Sequence, residues 1–328
     1  MTAVLVVSLA GALAACSGEG PPMAYRLHVP ASVGRELPPL VVMLHGCLQN
    51  AERFARNTAM DRVADEAGFL VLYPEQPVID LSAPMSTMLT FRCWPWFRPE
   101  HQARGAGAPA AIVDLIERVH VLHPFDRKRV YAAGLSAGAA MSVVLGATYP
   151  DVFASIGASA GVPFRSAESL GDAFATMSRG AAAADPRQNL VDEAMGTARR
   201  VVPLMVIQGT ADRFVAPVNA DRIIAQWAQA SDRADNGEDD GSIDDRPDSP
   251  EPAQAKAAGE GGRSYRSFSY RDRSQSLIME KVMVEGMDHA WSGGTKHPFI
   301  GSWDPFADPL GPDASRLLWN FFAAHPMR

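Results

Sequence analysis

The sequence predicts an α/β fold in which a mostly parallel central sheet is covered by helices on both faces. Three observations support this prediction. Short apolar runs recur along the chain, and stretches of helical composition separate most of them. The run 40–44 contains only apolar residues, which is typical of a strand buried on both faces. The chain has 328 residues, of which 47% are hydrophobic, so it can bury a sizeable core.

Strand and helix signals alternate in the first half of the chain. Residues 24–29 alternate between apolar and polar side chains, which predicts an edge strand. Phe54 and Val63 belong to a set of apolar residues that recur at roughly helical spacing within 51–67. The other elements predicted in this half are a strand at 69–73, a helix at 106–121, a strand at 129–135 and a helix at 139–149, which Pro150 ends.

The second half continues the alternation. Residues 201–208 form an apolar run that predicts a further strand. Ile223, Ile224 and Trp227 share one side of a predicted helix at 221–230. The remaining predicted elements are strands at 153–158, 265–270 and 277–284 and a final helix at 314–324. The signals together predict one domain over residues 24–328.

The pentapeptide Gly134-Leu135-Ser136-Ala137-Gly138 lies between a predicted strand and a predicted helix. A G-x-S-x-G motif in that context is the nucleophile elbow of α/β-hydrolases. The turn is so sharp that side chains at the two glycine positions would collide with neighbouring elements. The motif therefore predicts an α/β-hydrolase fold with Ser136 as nucleophile and the backbone N–H of Ala137 as an oxyanion donor. A glycine-rich packing contact without chemistry is the alternative.

A serine nucleophile needs a base, and the base needs an acid that orients it. In α/β-hydrolases the chain order is serine, acid, histidine. Asp212 directly follows a predicted strand, and the histidines after it are His289, His297 and His325. We predict the pair Asp212 and His289, because His289 follows the last strand whereas the other two lie in a proline-flanked loop and in the C-terminal tail. Asp288 is a rival acid that we interpret as a solvated turn residue.

The loop after the run 40–44 supplies the second candidate oxyanion donor. It begins with His45, Gly46 and Cys47. An oxyanion hole needs two backbone donors, and Gly46 allows the backbone to turn so that the Cys47 N–H faces the site. His45 precedes the nucleophile and so breaks the expected chain order. We predict that it orders this loop.

Charge and composition exclude some classes of partner. The net charge is −7, but residues 231–263 hold ten acidic and four basic residues, so this segment alone contributes 4 − 10 = −6. The segment has too few apolar side chains for their burial to offset the conformational entropy that ordering would cost. It is therefore predicted to be a disordered insertion. No basic stripe points to nucleic acid, and no metal or cofactor is predicted.

Residues 165–200 are rich in small residues and predict either a lid or surface helices.

The N-terminal residues 1–16 resemble a bacterial signal peptide. The apolar stretch 3–15 is too short to span a bilayer but fits the apolar region of such a signal. It ends in Leu-Ala-Ala-Cys, which resembles a lipobox, so Cys16 is predicted to be lipidated and to provide the only membrane attachment. No Lys or Arg precedes the apolar stretch. An ordinary cleavable signal is the alternative.

The other two cysteines, Cys47 and Cys93, form an even pair. In an oxidising compartment such a pair suggests a disulfide bond. Two buried free thiols remain the alternative at this point.

Six motifs occur together and in order, at 44–49, 93–97, 134–138, 209–212, 286–294 and 311–315. Together they resemble the esterase, poly(3-hydroxybutyrate) (PHB) depolymerase family. The similarity covers most of residues 24–325 apart from the acidic insertion. It implies a serine ester hydrolase, secreted or attached to the cell envelope, with relatives that act on polyhydroxyalkanoates, acetylated xylan or feruloyl esters.

The resemblance has consequences for single residues. Cys47 and Cys93 fall at family positions, which favours the disulfide bond beside the oxyanion loop. Trp94, Trp96 and Trp291 would then contact substrate near the mouth of the site. For Trp94 and Trp96 a place in the hydrophobic core is the alternative.

The sequence thus predicts ester hydrolysis through an acyl-enzyme, on hydroxyalkanoate oligomers or polyester. Because no separate polymer-binding domain is seen, soluble, amorphous or oligomeric esters are expected over crystalline polymer. A feruloyl or acetylxylan esterase is the alternative, and a peptidase of this fold is not favoured because no amine-binding acid is seen. A non-catalytic binding lipoprotein is the competing class. The sequence predicts no oligomeric state.

Overall fold

The computed structural model describes residues 23–77 apart from 32, 33 and 35, and then 92–183, 189–249, 252–299 and 302–328. The predicted signal segment 1–16, with Cys16, lies outside the described residues. In the part that is described, no helix is both long and apolar enough to cross a membrane.

A central sheet of nine strands dominates the described part of the chain. Its order is β1-β3-β2-β4-β5-β6-β9-β8-β7. The strands are β1 (Tyr25–His28), β2 (Leu40–Leu44), β3 (Leu70–Pro74), β4 (Val130–Leu135), β5 (Ser155–Ser159), β6 (Leu204–Gly209), β7 (Ala253–Lys256), β8 (Ser264–Arg271) and β9 (Leu277–Val284). Four two-residue strands, β10 (Trp291–Ser292), β11 (Pro298–Phe299), β12 (Ser302–Trp303) and β13 (Ala307–Asp308), form two small ladders.

Eight α-helices are described. They are α1 (Ala51–Thr58), α2 (Met60–Ala67), α3 (Gly107–Leu122), α4 (Ala137–Thr148), α5 (Leu170–Arg179), α6 (Leu190–Met195), α7 (Val218–Asn236) and α8 (Ala314–Ala324). Two short 3₁₀ helices span Pro99–His101 and Gly196–Ala198. The predicted helix 51–67 is divided because Ala59 has a left-handed backbone (φ +50°), which ends α1 and begins α2.

The direction of the strands brings the candidate residues to one edge of the sheet. The six strands β3, β2, β4, β5, β6 and β9 are parallel. The outer strands β1, β8 and β7 pair antiparallel. The mostly parallel α/β fold that the sequence predicts is therefore confirmed. Since parallel strands end at a common edge, the loops after β2, β4, β6 and β9 lie along that edge.

Helices cover both faces of the sheet, and β2 shows how the core is divided. All five residues of β2 are fully buried. Val42 packs into one apolar cluster with Trp227 of α7, and Val41 packs into the other with Phe322 of α8. The uninterrupted apolar run therefore reflects a strand that contributes to two cores at once.

The acidic segment 231–263 differs from its prediction. The first part continues α7, and β7 extends the edge of the sheet. The Asp232 carboxylate is buried and accepts hydrogen bonds from the N–H groups of Gly241 and Ile243, both at 2.8 Å, and from Ser242 Oγ at 2.8 Å. The prediction of disorder is wrong for the described residues of this segment. Local hydrogen bonds order a chain that is too polar to form a core, and composition cannot reveal such bonds.

The segment 165–200 carries α5 and α6, and α5 is fixed to the chain that follows β6. The N–H of Ala216 donates to Met177 O at 2.7 Å, and Asn219 Nδ2 donates to Thr176 O at 3.0 Å. The buried Asn219 also accepts a hydrogen bond from the N–H of Ala181. These bonds position the segment, while its role as a lid stays a prediction.

Candidate active site

Ser136 occupies the sharp turn between β4 and α4. Its backbone has φ +58° and ψ −120°, a conformation that a residue with a side chain rarely adopts. Its N–H donates to Ser159 O at 2.9 Å, and its hydroxyl does not cap the helix. A Cβ atom at Gly138 would collide with the carbonyl oxygens of Leu44 and His45. Only glycine allows α4 to approach β2 this closely, which explains the residue type in the motif.

Asp212 and His289 meet in a direct hydrogen bond. His289 Nδ1 lies 2.8 Å from Asp212 Oδ2, and both side chains are buried. The other carboxylate oxygen, Asp212 Oδ1, accepts the N–H groups of Phe214 at 2.9 Å and Val215 at 2.8 Å. Gln208 Nε2 donates to Oδ2 at 3.1 Å. With Nδ1 donating its proton to Asp212, Nε2 is the nitrogen of His289 that can accept one.

The rival residues are placed elsewhere. Asp288 accepts hydrogen bonds from Arg213 and from the backbone N–H of His289. Of the two candidate acids, Asp212 is the one that hydrogen-bonds to the His289 ring. His297 Nε2 lies 3.3 Å from a carbonyl oxygen of α1. His325 lies against carbonyl oxygens of α8 and β9.

The loop after β2 is held by hydrogen bonds from several sides. His45 Nδ1 lies 2.8 Å from Gly46 O, and the N–H of Gln76 donates to His45 Nε2 at 3.1 Å. Trp94 Nε1 donates to His45 O at 3.0 Å, and the N–H of Gly46 donates to Gln49 Oε1 at 2.9 Å. His45 is completely buried, and this burial lowers its pKa to about 4. A neutral His45 therefore orders the loop, as the sequence predicts.

Two backbone N–H groups are available as oxyanion donors. Among the described residues, neither Cys47 N–H nor Ala137 N–H has a hydrogen-bond acceptor. Ala137 opens α4, where the first N–H groups lack partners within the helix and the helix dipole favours negative charge. Gly46, next to Cys47, lies close to Ser136. A Cβ atom placed on Gly46 would be 3.6 Å from Ser136 Cβ. The two loops that carry these N–H groups are thus in contact at the nucleophile.

Cys47 and Cys93 form a disulfide bond with a Cα–Cα distance of 4.3 Å. This confirms the pairing that the family resemblance implied. The bond joins the loop after β2 to the segment that contains Trp94, 46 residues further along the chain. It therefore fixes the same loop that the hydrogen bonds of His45 hold.

The three tryptophans predicted to contact substrate are core residues in this structure. Trp94 and Trp291 are fully buried, and Trp96 is 3% exposed. Trp291 packs edge-on against Phe54 and donates to Ser315 Oγ at 3.1 Å. This burial argues against the expected substrate contacts, because none of the three rings has a face open to solvent. The alternative of core tryptophans, left open for Trp94 and Trp96, fits the structure.

The sequence reasoning missed an exposed apolar side chain beside His289. Phe214 is 63% exposed, and its ring centroid lies 5.4 Å from that of His289. Leu48, in the loop after β2, is also exposed. The signal was present in the sequence, since an aromatic residue two positions after Asp212 cannot belong to the preceding buried strand.

A buried ion pair that sequence reasoning could not find supports the loop after β2. Arg53 Nε donates to Asp304 Oδ2 at 2.5 Å, and Arg53 Nη1 donates to Leu48 O at 2.9 Å. Asn57 Nδ2 donates to the same carboxylate oxygen at 2.8 Å. Within the described residues, no cluster of three or more His, Cys, Asp or Glu side chains has the geometry to hold a metal ion.

Comparison with known proteins gives the chain a family. A family model described as Esterase PHB depolymerase matches residues 23–240. Poly(3-hydroxyalkanoate) depolymerase C of Paucimonas lemoignei is 34% identical over 205 residues, which are 61% of this chain and 46% of that protein. Feruloyl esterase B of Thermothelomyces thermophilus is 28% identical over 200 residues, 58% of this chain and 65% of that protein. The chain thus spans less than two thirds of either relative.

A solved structure agrees with the fold described above. An acetyl xylan esterase from Aspergillus awamori matches 92% of this chain and 94% of its own, with a TM-score of 0.64 at 18% identity. At this identity the likeness shows the fold alone. The family model covers well over half of the chain, and the chain therefore belongs to the esterase PHB depolymerase family.

Proposed function

We propose that this protein is a serine hydrolase of carboxylic esters that works through an acyl-enzyme. The observation that carries the proposal is the hydrogen bond between His289 and Asp212, at the sheet edge where Ser136 occupies a strained turn. A buried histidine oriented by a carboxylate is what a serine nucleophile requires. Membership of the esterase PHB depolymerase family supports the same conclusion.

In the proposed mechanism, Ser136 Oγ attacks the ester carbonyl carbon while His289 Nε2 takes its proton. The N–H groups of Cys47 and Ala137 stabilise the negative charge that develops on the carbonyl oxygen. His289 then protonates the leaving alcohol, and the acyl group stays on Ser136. Water activated by His289 attacks the acyl-enzyme, releasing the acid and restoring Ser136. Asp212 keeps His289 in the tautomer with Nδ1 protonated and stabilises the imidazolium.

For the substrate we propose 3-hydroxyalkanoate oligomers or polyester chains. The most similar of the relatives named above, at 34% identity, is a poly(3-hydroxyalkanoate) depolymerase. Feruloyl or acetylated-xylan esters are the second candidate, because a feruloyl esterase and an acetylxylan esterase are each 28% identical. A panel of hydroxybutyrate oligomers, methyl ferulate and acetylated xylan separates the two. Preference for the oligomers supports the first candidate, and preference for either of the others supports the second.

A fluorophosphonate probe tests the catalytic proposal, because it labels an activated serine covalently. We expect labelling of the wild-type protein and none of Ser136→Ala. Ser178→Ala, in the exposed part of α5, is the matched control and should label normally. A wild-type protein that does not label would favour a non-catalytic binding protein. Labelling that survives Ser136→Ala would remove Ser136 from the mechanism.

We further propose that the protein is exported and attached to the cell envelope through a lipid on Cys16. The lipobox-like sequence and the disulfide bond between Cys47 and Cys93 support an oxidising compartment outside the cytoplasm. Replacing Cys16 by Ser should move the protein from the membrane to the soluble fraction. Unchanged membrane partitioning would contradict the lipid anchor.

A further inference from the structure

One carboxylate joins the two loops that carry Asp212 and His289. Asp288 Oδ1 accepts the backbone N–H of Arg213 at 3.1 Å and the backbone N–H of His289 at 2.9 Å. The first N–H belongs to the residue that follows Asp212, and the second belongs to His289 itself. Asp288 Oδ2 accepts Arg213 Nε at 2.8 Å and Nη2 at 2.5 Å.

Backbone contacts connect the same loops one step earlier. Ala211 N–H donates to Met287 O at 3.0 Å, and Thr210 N–H donates to Val284 O at 3.0 Å. A Cβ atom at Gly209 would collide with Met287 O, so the loops touch there. These bonds extend the pairing of β6 and β9 up to Met287. Asp288 continues the connection two residues further along each loop, where it binds the backbone N–H of Arg213, next to Asp212, and the backbone N–H of His289.

We propose that Asp288 is a positioning residue, which fixes His289 relative to Asp212 through its two backbone hydrogen bonds. The inference rests on the proposed function, because it concerns the geometry of the Asp212–His289 pair. Asp288 touches neither the His289 ring nor the reacting atoms. It sets the position of the backbone from which the His289 ring reaches Asp212.

The backbone bonds, and not the ion pair with Arg213, carry this role. The Arg213 side chain is 81% exposed and the Asp288 side chain 39% exposed, and ion pairs at such positions contribute little because water screens them. Partial burial raises the pKa of Asp288, but hydrogen bonds from Arg213 and from the His289 N–H outweigh it and hold that pKa below its ordinary value. The carboxylate is therefore charged at neutral pH and remains a strong acceptor for both N–H groups.

The role differs from general stabilisation of the fold. Asp288 lies at the surface, so water can replace it as the acceptor for Arg213 N–H when its side chain is removed. The free energy of unfolding should then change little. Catalysis is more sensitive, because a misplacement of about 1 Å can cost about a hundredfold in rate.

The experiment compares Asp288→Ala, Asp288→Asn and Arg213→Ala in the full-length protein. The readouts are kcat and KM for a p-nitrophenyl ester, the rate of fluorophosphonate labelling, and Tm. For Asp288→Ala we expect a fall of about tenfold to a hundredfold in kcat and in labelling rate, with KM and Tm unchanged.

The two companion variants separate backbone positioning from charge. Asp288→Asn keeps an oxygen that accepts both N–H groups, so it should retain most of the activity. Arg213→Ala keeps its backbone N–H and should stay within about twofold of wild type, as expected for loss of an exposed ion pair. If Asp288→Ala does not fold, Asp288→Glu decides. It keeps the charge but displaces the oxygens, so positioning predicts lower kcat than in Asp288→Asn.

Three outcomes would overturn the inference. These are a wild-type kcat in Asp288→Ala, an equal loss in Arg213→Ala, and a loss of kcat that only follows a fall in Tm. Ser136→Ala separates this inference from the proposed function. If Ser136→Ala abolishes activity while Asp288→Ala leaves it intact, the inference alone fails. If Ser136→Ala stays active, the proposed function fails.

Discussion

The two halves of the candidate site are built in different ways. The half around the loop after β2 is anchored in the interior, where His45 and Trp94 are fully buried, and a disulfide bond holds Cys47. The half that carries Asp212 and His289 is open on its outer side, where Phe214 and the Arg213 side chain are exposed. Hydrogen bonds between two loops hold this second half.

This difference separates stability from activity. In the buried half, the groups that fix the proposed oxyanion donors also belong to the core, so a change there should weaken the fold. At the exposed positions of the open half, such as Arg213 and Phe214, water can replace a lost partner, so a change there should alter geometry or substrate contact with little effect on unfolding. Substitutions in the two halves therefore test whether the division is real.

The largest effect is expected where the buried half depends on one ion pair. The side chains of Arg53 and Asp304 are 9% and 2% exposed, and Arg53 also donates a hydrogen bond to Leu48 O in the loop after β2. Asp304→Ala leaves a buried guanidinium without its carboxylate, so we expect it to lower the free energy of unfolding by about 3–5 kcal/mol. Urea denaturation followed by fluorescence measures this change.

The matched control for Asp304→Ala is an exposed pair. Asp151 and Arg104 form an ion pair with side chains 44% and 49% exposed. Asp151→Ala should lower the free energy of unfolding by less than about 1 kcal/mol. If the two variants lose equal stability, burial does not distinguish the two regions.

The local parts of the site could be predicted from the sequence. Each candidate residue lies in the turn or loop that follows a strand, and each of these strands appears in the sequence as an apolar run. The residues are Cys47, Ser136, Asp212 and His289. In a parallel sheet those ends share one edge, so the positions follow without knowledge of distances. The sheet itself was predictable for the same reason, because its buried strands leave uninterrupted apolar runs.

Contacts between distant parts of the chain could not be predicted. Arg53 and Asp304 are 251 residues apart, and neither lies in a recognisable motif. The burial of Trp94 and Trp291 depends on which elements pack over them, and the residue type fits a core and a binding surface equally well. The bonds between Asp288 and Arg213 join two loops that are 75 residues apart, so the sequence shows only a turn residue at Asp288.

A pH titration of stability examines the buried half further. Burial lowers the pKa of His45 to about 4, from an ordinary value of 6.5. The unfolded chain therefore binds a proton at His45 at higher pH than the native protein. Stability should fall as the pH drops from about 6.5 to about 4, by about 3 kcal/mol at 1.36 kcal/mol per pKa unit, and this contribution should level off below pH 4.

Denaturation curves between pH 7 and pH 4 measure this loss. His45→Gln should flatten the slope, because glutamine has no proton to gain in this range. Burial also lowers the pKa of His101, so His101→Gln is the control that keeps the His45 contribution. An unchanged slope in His45→Gln would show that protonation of His45 does not limit stability in acid.

The smallest effect, and the one most specific to substrate, is expected at the exposed Phe214 in the open half. Its ring lies 5.4 Å from that of His289, so it can cover an apolar group of a bound ester. Phe214→Ala should lower kcat/KM for a p-nitrophenyl hexanoate by about tenfold and leave the acetate ester nearly unchanged, because one lost apolar contact discriminates by about this factor. Unfolding should not change, since the side chain is exposed in the native protein.

Leu122→Ala provides the control, because this exposed leucine ends α3 ahead of β4 and so lies towards the opposite edge of the sheet. Equal losses for the two esters would mean that Phe214 affects the Asp212–His289 pair itself, and an exposed side chain of the open half would then set geometry and not only substrate contact.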